Sequence, residues 1–525
     1  MSIKNRINAG LRVAGTKTAK AAAALGRRLP DGMKSFAKDK VKALPQNKLT
    51  NTLRSVAAAP PQNAPLIGEA ISNGHMVPLQ AAGSTYSEAQ ISTFLQYELS
   101  YLKQLYFQMS EQHGFDAERD VEESSEESLI LAQQYLDSFS PSAGSTVRHL
   151  VVVEVYPREG AEYGNGFVHR RVKLYQEGGA EVHVAVVSRN ATSEIFEYDG
   201  VTVIAGQGQE LAALLQRHEY ESVSTHFMSE YLWQKMAPYL DGQRLYCYIH
   251  GFEARRWVRS LHNYRSSDAL ERELATSLRR QQFWRRVLAH PNGPVKYVFV
   301  SQWWRNAAQE DLELTIPTSK TEVIHNLVDT SLFRYMPKSA DQRFKILWVR
   351  TANNFNYGSD IAVRVLKALR ETPYWSKLDV KIVGDGRYFG EFESTFAEDA
   401  NVHINRGFIN QTEIARLHRE YGIFLVPTRL DTQGVSRDEA MASGLVPITN
   451  AVAAVPEFVN DEVAVLAGPE DVEGMVAGMI ALFKSAERFQ KMSRLASERV
   501  ASQSGPRQTV AKEMVMMGLP LADTN

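Results

Sequence analysis

The sequence predicts an α/β protein whose larger part consists of two Rossmann-like doubly wound domains facing a cleft. From "RHLVVVEVYP" onward, nearly continuous apolar stretches of strand length alternate with helical stretches, a pattern typical of a parallel sheet covered on both faces. After the polar stretch "RYMPKSADQR" the same alternation starts again at "FKILWVR". Sheets of this type bind ligands outside the carboxyl ends of their strands, so two in tandem predict a binding cleft between them.

The composition along the chain predicts five segments in all. A basic N-terminal arm and a helical module precede the two α/β domains, and a short helix that we expect to pack back on the first of them follows. In chain order the boundaries are arm and linker 1–83, helical module 84–141, first Rossmann-like domain 148–335, second Rossmann-like domain 340–505 and C-terminal helix 506–525.

The helical module shows apolar residues at helical spacing. Ile91, Phe94, Leu95 and Leu99 begin a series that predicts a long helix from Ser87. A second helix is predicted in "LILAQQYLDSF". Its apolar face must pack on the next domain or on a second copy of the chain, so the module is a candidate surface for a homodimer.

The N-terminal arm carries most of the charge asymmetry. Residues 1–48 hold twelve Lys or Arg and two Asp, an excess of +10 in a chain of net charge −1, so the remainder is −11. Three interpretations remain open for this segment: a solvated tail, a basic amphipathic helix on an anionic membrane surface, or a nucleic-acid contact. Nucleic acid is not expected as a partner, because basic residues are concentrated in the arm alone.

Cellular location is indicated by what the sequence lacks. No apolar run reaches the roughly 18 residues of a membrane span, and the N-terminus has no continuous apolar core of a secretory signal. The only cysteine, Cys247 in "RLYCYIH", is expected to be a buried thiol, and one cysteine permits no internal disulfide. We therefore expect a cytoplasmic protein, with the inner membrane face as its site if the arm binds lipid.

Two glycine-containing turns follow predicted strands. Gly384 and Gly386 in "GDG" would permit a tight turn and a close approach of a ligand to the backbone. In "YGNGF", Gly166 opens a helix after the first strand of the other domain, where backbone amides would face the cleft. Ordinary turn glycines are the alternative at both places.

The stretch "RLDTQGVSRDEAMASGLVPITN" contains two acids that have two interpretations. Ser436 and Glu439 fit a capping box, with Ser436 as the N-cap and Glu439 at the third helical position, while Asp431 would only close a turn. Alternatively, the helix follows a buried strand and directs its free N–H groups into the cleft, which makes a site for phosphate.

The second half of the chain resembles the nucleotide-binding domain of retaining family 4 glycosyltransferases of the GT-B fold. The resemblance rests on Asp431, seven residues and Glu439, continuing as "EAMASGLVPIT". It extends through "GIFLVPT", "NRGFI", "KIVGDG", "ILWVR" and the join "VIHNLVD", covers about 148–505, and is strongest over 340–460. It implies that 148–335 is the acceptor-side domain and 340–505 the nucleotide-sugar domain.

The resemblance also implies roles for individual residues. Asp431, Arg350 and His250 would be catalytic: Asp431 on the hydroxyls of the donor sugar, Arg350 on the charge of the leaving group, and His250 near the sugar. A strand-end histidine satisfied by the backbone is the alternative for His250. The nucleotide sugar would further contact Glu439 at the ribose, amides of Gly434, Val435 and Ser436 at the diphosphate, Gly407, Phe408 and Ile409 at the base, and Gly384, Gly386, Arg387 and Gly166 around the phosphates.

Two departures from the family pattern affect these expectations. Asp431 stands where a glutamate is usual and reaches one methylene less, which points to a differently placed sugar or to a different one, such as the 6-deoxyhexose rhamnose. In "RTANNFNYG" Tyr357 precedes Gly358 and the usual phosphate-binding lysine is missing. Arg387 and Arg437 are the candidates to supply that charge. No D-x-D run or His/Cys cluster suits a metal, so neither metal nor cofactor is expected.

The predicted function is retaining transfer of a sugar from a nucleotide-diphosphate donor to a growing surface polysaccharide or lipid-linked glycan. Front-face substitution is implied by the family, because no nucleophile is evident. Two alternatives stay open: a GT-B epimerase or phosphorylase, and a non-catalytic glycan-binding scaffold, which the missing lysine favours.

Overall fold

The computed structural model divides the chain into two compact units. One unit comprises Met1–Arg119 and Arg256–Gln282, and the other comprises Asp120–Arg255 and Phe283–Asn525. The residues described by the structure are 71–72, 75–76, 79–81, 84–86, 124–139, 148–161, 164–264 and 267–521. The basic arm 1–48 and the predicted helix from Ser87 lie outside these residues.

The first unit contributes short elements among the described residues. Two antiparallel ladders pair β1 (Ile71–Ser72) with β2 (His75–Met76), and β3 (Leu79–Ala81) with β4 (Ser84–Tyr86). A 3-10 segment, Trp257–Asn263, buries Trp257 and Leu261 against Tyr264.

The other unit contains both large sheets. The first sheet has eight strands in the order β12-β11-β10-β9-β5-β6-β8-β7, and only β7 runs antiparallel to its neighbour. Its strands are β5 (Arg148–Val153), β6 (Glu181–Val187), β7 (Glu194–Tyr198), β8 (Val201–Gly206), β9 (Ser222–His226), β10 (Arg244–Ile249), β11 (Lys296–Phe299) and β12 (Thr321–Val323).

The second sheet has six strands, all parallel, in the order β15-β14-β13-β16-β17-β18. They are β13 (Lys345–Val349), β14 (Asp379–Gly384), β15 (Val402–Arg406), β16 (Ile423–Leu425), β17 (Val446–Asn450) and β18 (Val465–Ala467). Most strand residues are buried, because helices cover both faces of a parallel sheet.

Helices connect the strands of both sheets. Around the first sheet these are α1 (Glu126–Asp137), α2 (Gly166–Glu177), α3 (Gln209–Arg217), α4 (Glu230–Met236) and α6 (Gln302–Leu312). Helix α5 (Ser267–Ala289) begins in the first unit and ends in the other. Around the second they are α7 (Ser359–Arg370), α8 (Gly390–Thr395), α9 (Gln411–Glu420), α10 (Val435–Ala442), α11 (Val455–Phe458), α12 (Val472–Lys484) and α13 (Ala486–Ser504), and α14 (Val510–Met517) ends the chain.

The strand order reverses once in each sheet and thereby locates the predicted cleft. The first sheet reverses between the neighbours β5 and β9, and the second between β13 and β16. The loops that follow these strands diverge to opposite faces, which leaves a crevice at the carboxyl edge. Arg350 follows β13 directly, and the turn with Asp431 follows β16.

The last helix packs on the first sheet although it follows the second. Val510, Met514 and Met517 of α14 join the apolar cluster formed by α2 and the strands. Within this cluster Arg171 donates to the Glu513 carboxylate at 3.0 Å, and both side chains are almost completely buried. The Tyr175 hydroxyl donates to the same carboxylate at 2.6 Å, so α14 is fastened by a buried ion pair.

The structure confirms the predicted fold class, two mainly parallel α/β sheets of the doubly wound type. Helix α1 lies where the second helix of the module was predicted. Cys247 is buried, as expected. Among the described residues, no helix has the length and apolar composition needed to cross a membrane.

We predict that Glu513→Gln lowers the free energy of unfolding by about 3 kcal/mol, because removing one partner of a buried ion pair leaves the Arg171 charge uncompensated. Urea unfolding of the full chain measures the loss. Lys512→Gln is the matched control on the exposed side of the same helix and should change stability little. Equal effects of the two substitutions would contradict the role of the pair.

Candidate functional site

The turn between β16 and α10 places the predicted acids. Gly434 is the N-cap of α10 and has a left-handed φ of 99°. No side-chain hydrogen bond caps the helix at this residue. Ser436 is therefore the second helical residue, not the N-cap, and the capping-box interpretation of Ser436 and Glu439 is wrong. Because Gly434 has no side chain to cap the helix, it leaves the first N–H groups of Val435 and Ser436 available to an anion.

Arg350 and Asp431 meet at the reversal of the second sheet. One terminal nitrogen of Arg350, Nη2, lies 3.2 Å from Asp431 Oδ2 and 3.2 Å from Ser436 Oγ. The other, Nη1, is buried without a hydrogen-bond partner. The guanidinium also lies 4.5 Å from the centre of the Tyr357 ring. Tyr357 thus supports Arg350 in the loop where the usual lysine is missing.

Backbone hydrogen bonds hold the two loops together. The carbonyl oxygen of Asn356 accepts from the Arg429 N–H at 2.7 Å and from the Thr428 hydroxyl at 2.7 Å. Gly358 has φ +55°, and a Cβ there would lie 2.8 Å from the Pro427 carbonyl oxygen. This close contact fixes the loop after β13 against the loop after β16, and so brings Arg350 to Asp431.

Glu439 lies on the first turns of α10 and is buried. Burial raises the pKa of its carboxyl group to about 7, and the nearby Arg170 cation opposes this shift. Arg170 extends from α2 of the first domain, with Nη2 3.9 Å from Glu439 Oε1. Its Nη1 donates to the side chain of Gln411, and its Nε is buried without a partner. Arg170 therefore connects the two domains at the residue predicted to bind ribose.

The glycines of "GDG" serve packing in this structure. A Cβ on Gly384 would lie 2.0 Å from the Arg350 carbonyl oxygen, and one on Gly386 would lie 2.5 Å from Ala352. The turn after β14 is thus pressed against the loop that carries Arg350, which explains both glycines without a ligand. Arg387 is exposed, and its backbone N–H donates to the side chain of Asn353.

The predicted base-binding segment follows the edge strand β15. Gly407 has φ +131°, and a Cβ there would meet no other atom within 4 Å. The side chain of Phe408 is 60% exposed, whereas Ile409 packs partly on the core. Gln411, two residues later, accepts a hydrogen bond from Arg170, and Arg170 also lies 3.9 Å from Glu439. This segment and Glu439 therefore lie on the same side of the site.

Arg437 was a candidate for the missing phosphate-binding cation, and the structure does not support that assignment. Its Nη2 lies 2.7 Å from Asp438 Oδ1 and donates also to the Gln433 carbonyl oxygen, with both partners of the ion pair about 2% exposed. The guanidinium is therefore buried and already paired inside the domain, so its charge does not face the cleft. Burial raises the pKa of the Asp438 carboxyl, which Arg437 counteracts.

The first domain contributes the ends of β5, β9 and β10. Gly166 is the first residue of α2, and a Cβ there would point into open space, so packing does not require this glycine. His250 follows β10, and its Nε2 lies 2.9 Å from Nδ1 of His226. Burial holds the pKa of both imidazoles well below 6.5, so the pair is neutral near pH 7.

The two domains touch at the predicted catalytic turn. The hydroxyl of Thr432, next to Asp431, donates to the backbone carbonyl of His250 at 2.6 Å. His250 thus lies beside the turn that carries Asp431, but its imidazole binds another histidine and not the backbone. Within the described part of the chain, no group of three or more His, Cys, Asp or Glu side chains could hold a metal ion.

Several residues of the site were not foreseen. Sequence reasoning missed the contacts of Arg170, Thr432, Gln433 and His226, and it noted Tyr357 without a role. Arg170 contacts a residue far along the chain, and no local pattern signals such a contact. His226 ends β9 next to β10, so the strand order alone places it beside His250.

We predict that Glu439→Gln raises the thermal midpoint relative to wild type as pH increases from about 4.5 to 7. The folded-state pKa is about 7 and the ordinary value 4.5, so the folded wild type holds the extra proton in that window and loses stability as pH rises through it. The corresponding difference in the free energy of unfolding between the variant and wild type should reach at most about 3 kcal/mol. Glu420→Gln, an exposed acid on α9, is the control, and a pH-independent difference for Glu439→Gln would contradict the assignment.

Comparisons with known proteins bear on the family of the second domain and on the fold. Residues 343–485 match the family described as Glycosyl transferases group 1. No curated protein matches the chain significantly.

Solved structures share the fold at low identity. Sucrose-phosphate synthase from Thermosynechococcus elongatus is 14% identical with a TM-score of 0.54, covering 71% of this chain and 98% of its own. The catalytic domain of starch synthase IV from Arabidopsis thaliana, bound to ADP and acarbose, is 12% identical with a TM-score of 0.52, covering 71% and 99%. HepE from Anabaena, in complex with UDP and glucose, is 14% identical with a TM-score of 0.50, covering 71% and 99%. The second α/β domain is thus a glycosyl transferases group 1 domain, and the chain has the GT-B fold.

Proposed function

We propose that the protein transfers a sugar, with retention of anomeric configuration, from a nucleotide-diphosphate donor to a growing surface polysaccharide or lipid-linked glycan. The observation that supports this best is the convergence of Arg350, Asp431 and the uncapped start of α10 at the strand-order reversal of the second sheet. Proteins of the same fold have been solved with UDP or ADP, which supports a nucleoside diphosphate donor for this chain.

The diphosphate would lie on the first turn of α10. The N–H groups of Val435 and Ser436, together with the positive end of the helix dipole, attract an anion. Arg350 adds a full charge, and its Nη1 has no hydrogen-bond partner among the described residues. In this proposal these groups neutralise the leaving diphosphate, so the reaction needs no metal ion and no cofactor.

The two acids would bind different parts of the donor. Glu439 would accept hydrogen bonds from the ribose hydroxyls, with Gly407–Ile409 lining the base and Arg170 closing the site from the first domain. Asp431 would accept from hydroxyls of the donor sugar once Arg350 turns to the diphosphate. The shorter reach of Asp431 favours a sugar placed closer to the turn, and a 6-deoxyhexose such as rhamnose is our candidate.

The chemical step would be a front-face substitution. The bond between the anomeric carbon and the diphosphate oxygen breaks, the acceptor oxygen attacks the same face, and the acceptor proton passes to the departing phosphate oxygen. Positive charge develops on the sugar and negative charge on the leaving group, where Arg350 and α10 are already aligned. His250 and the backbone beside it would line the sugar from the first domain, and the acceptor would be held there.

We predict that Asp431→Asn lowers the transfer rate about 100-fold or more, because the amide loses the charge that would hold the hydroxyls of the donor sugar. Nucleoside diphosphate binding should not weaken, because the substitution also releases Arg350 from its ion pair with Asp431. Glu439→Gln, by contrast, should weaken nucleotide binding as well. The assay measures release of UDP, ADP, GDP or dTDP from their sugars with acceptor glycans, and proton NMR of the product reports the anomeric configuration.

Controls separate the site from the rest of the surface. Glu420→Gln should transfer as wild type does, and activity should persist in EDTA. Unchanged transfer by Asp431→Asn together with Glu439→Gln would refute the proposed site, and an inverted product would refute retention.

Membrane attachment through the basic arm is part of the proposal. Twelve basic residues within 1–48 would bind an anionic surface at the inner membrane face, where lipid-linked acceptors lie. The helical module 84–141 would support a homodimer. We predict that deleting residues 1–48 abolishes sedimentation with liposomes containing anionic lipid, while nucleotide binding persists. Liposome binding that is unchanged by the deletion would exclude the arm as the attachment site.

A further inference from the structure

The carboxyl edge of the first sheet carries three apolar side chains on adjacent strands. Val155 follows β5, Phe227 follows β9 and Phe252 follows β10, and these strands are neighbours in the sheet. Val155 is 51% exposed and Phe252 is 53% exposed. The ring of Phe252 is thus accessible at the edge of the sheet where doubly wound proteins bind their ligands.

The rings of Phe227 and Phe252 form a flat pair. Their centres are 5.3 Å apart and their planes differ by 15°. Phe227 lies in turn 4.4 Å from the His250 ring and 5.8 Å from Phe167. Phe227 thus lies between two rings: Phe252, which is exposed, and His250, which belongs to the histidine pair of the site.

The backbone at Phe227 is strained to hold this position. Its φ is +57°, in the left-handed region that bulky side chains avoid. Strained residues of this kind persist where the surrounding structure fixes them, and they cluster at ligand-binding sites. The strain places the ring against His250 and under Phe252.

The turn that carries Phe252 is rigid despite the exposure of its side chain. The Glu253 carboxylate accepts from the backbone N–H groups of His250 and Gly251, the latter at 2.8 Å. The Trp284 indole donates to the Glu253 carbonyl at 2.8 Å. The exposed ring is thus presented on a fixed support, which lowers the cost of ordering it around a ligand.

The same turn touches the turn that carries Asp431. Besides the Thr432 hydrogen bond to His250, a Cβ on Gly251 would lie 3.2 Å from the Thr432 methyl carbon. Phe252 is therefore one residue from backbone that is in contact with the catalytic turn. A group lying on the ring would be next to the proposed donor sugar.

We propose that Phe252, backed by Phe227, is the stacking platform for a pyranose ring of the acceptor glycan. The C–H bonds on one face of a sugar ring carry partial positive charge and pack favourably on the negative face of an aromatic ring. This inference rests on the proposed function, and it identifies where that function receives its acceptor. The turn that touches this platform carries Asp431 and Thr432, and polar side chains beside an exposed ring suit a sugar, whereas an alkyl tail requires a continuous apolar groove.

Saturation-transfer NMR on the full chain tests the platform. Aromatic protons are irradiated in the presence of methyl glycosides of hexoses and 6-deoxyhexoses, with n-octyl glucoside as a probe that carries an alkyl tail. At least one methyl glycoside should receive saturation on its ring protons. Phe252→Ala should reduce that signal about fivefold or more, and Phe252→Tyr should retain it. Ile130→Ala, which shortens an equally exposed apolar side chain on α1, should have no effect.

Three outcomes of this experiment would overturn the proposal. Equal signals from wild type and Phe252→Ala, no glycoside signal from wild type, or saturation of the octyl chain alone would each contradict a sugar platform. Binding of UDP, ADP, GDP and dTDP is measured on the same samples. If no nucleotide binds, the proposed function fails, and this result is separate from the glycoside signal. If Phe252→Ala loses glycoside but keeps nucleotide, the platform stands.

Discussion

The candidate site depends on a buried amide that joins the turn carrying Asp431 to the connection between the two domains. The side-chain oxygen of Gln433 accepts from the Asn326 N–H at 2.6 Å, and its nitrogen donates to the Asn326 carbonyl at 3.1 Å. The Asn326 side chain accepts from Arg171, which is paired with Glu513. One continuous polar network therefore links the turn that carries Asp431, the domain connection and the last helix. Losing one partner in such a network leaves a buried polar group without its hydrogen bond, which lowers stability.

This constraint explains how a site can be assembled from distant parts of the chain. The turn with Asp431 is held by Gln433 on one side and by Thr432 against His250 on the other. Arg350 is fixed to the same turn from the neighbouring strand. The two acids consequently differ in environment. Asp431 has a cation at 3.2 Å, whereas Glu439 is buried with its nearest cation 3.9 Å away, on the first domain. In the proposed reaction this difference assigns one acid to the sugar and the other to the nucleoside.

The sequence was sufficient to predict the fold class, but not the geometry of the candidate site. Strand and helix periodicity predicted both parallel sheets, but it predicted neither the order of their strands nor the antiparallel strand β7. The capping box failed because Gly434, in a left-handed conformation, ends the turn two residues earlier than Ser436 would. Arg437 carries the positive charge expected of a phosphate-binding residue, but it is buried in an ion pair with its neighbour Asp438. Arg170 was missed because its contacts with Glu439 and Gln411 arise only when the two domains come together, and no local pattern records them.

The most direct test of the central claim is calorimetric binding of nucleotides to the full chain. UDP, ADP, GDP and dTDP are each compared with the corresponding monophosphate. If the start of α10 and Arg350 form a diphosphate site, at least one diphosphate should bind about tenfold more tightly than its monophosphate, and Arg350→Met should remove that difference. Equal affinity for diphosphate and monophosphate, or a preference that persists in Arg350→Met, would contradict the account.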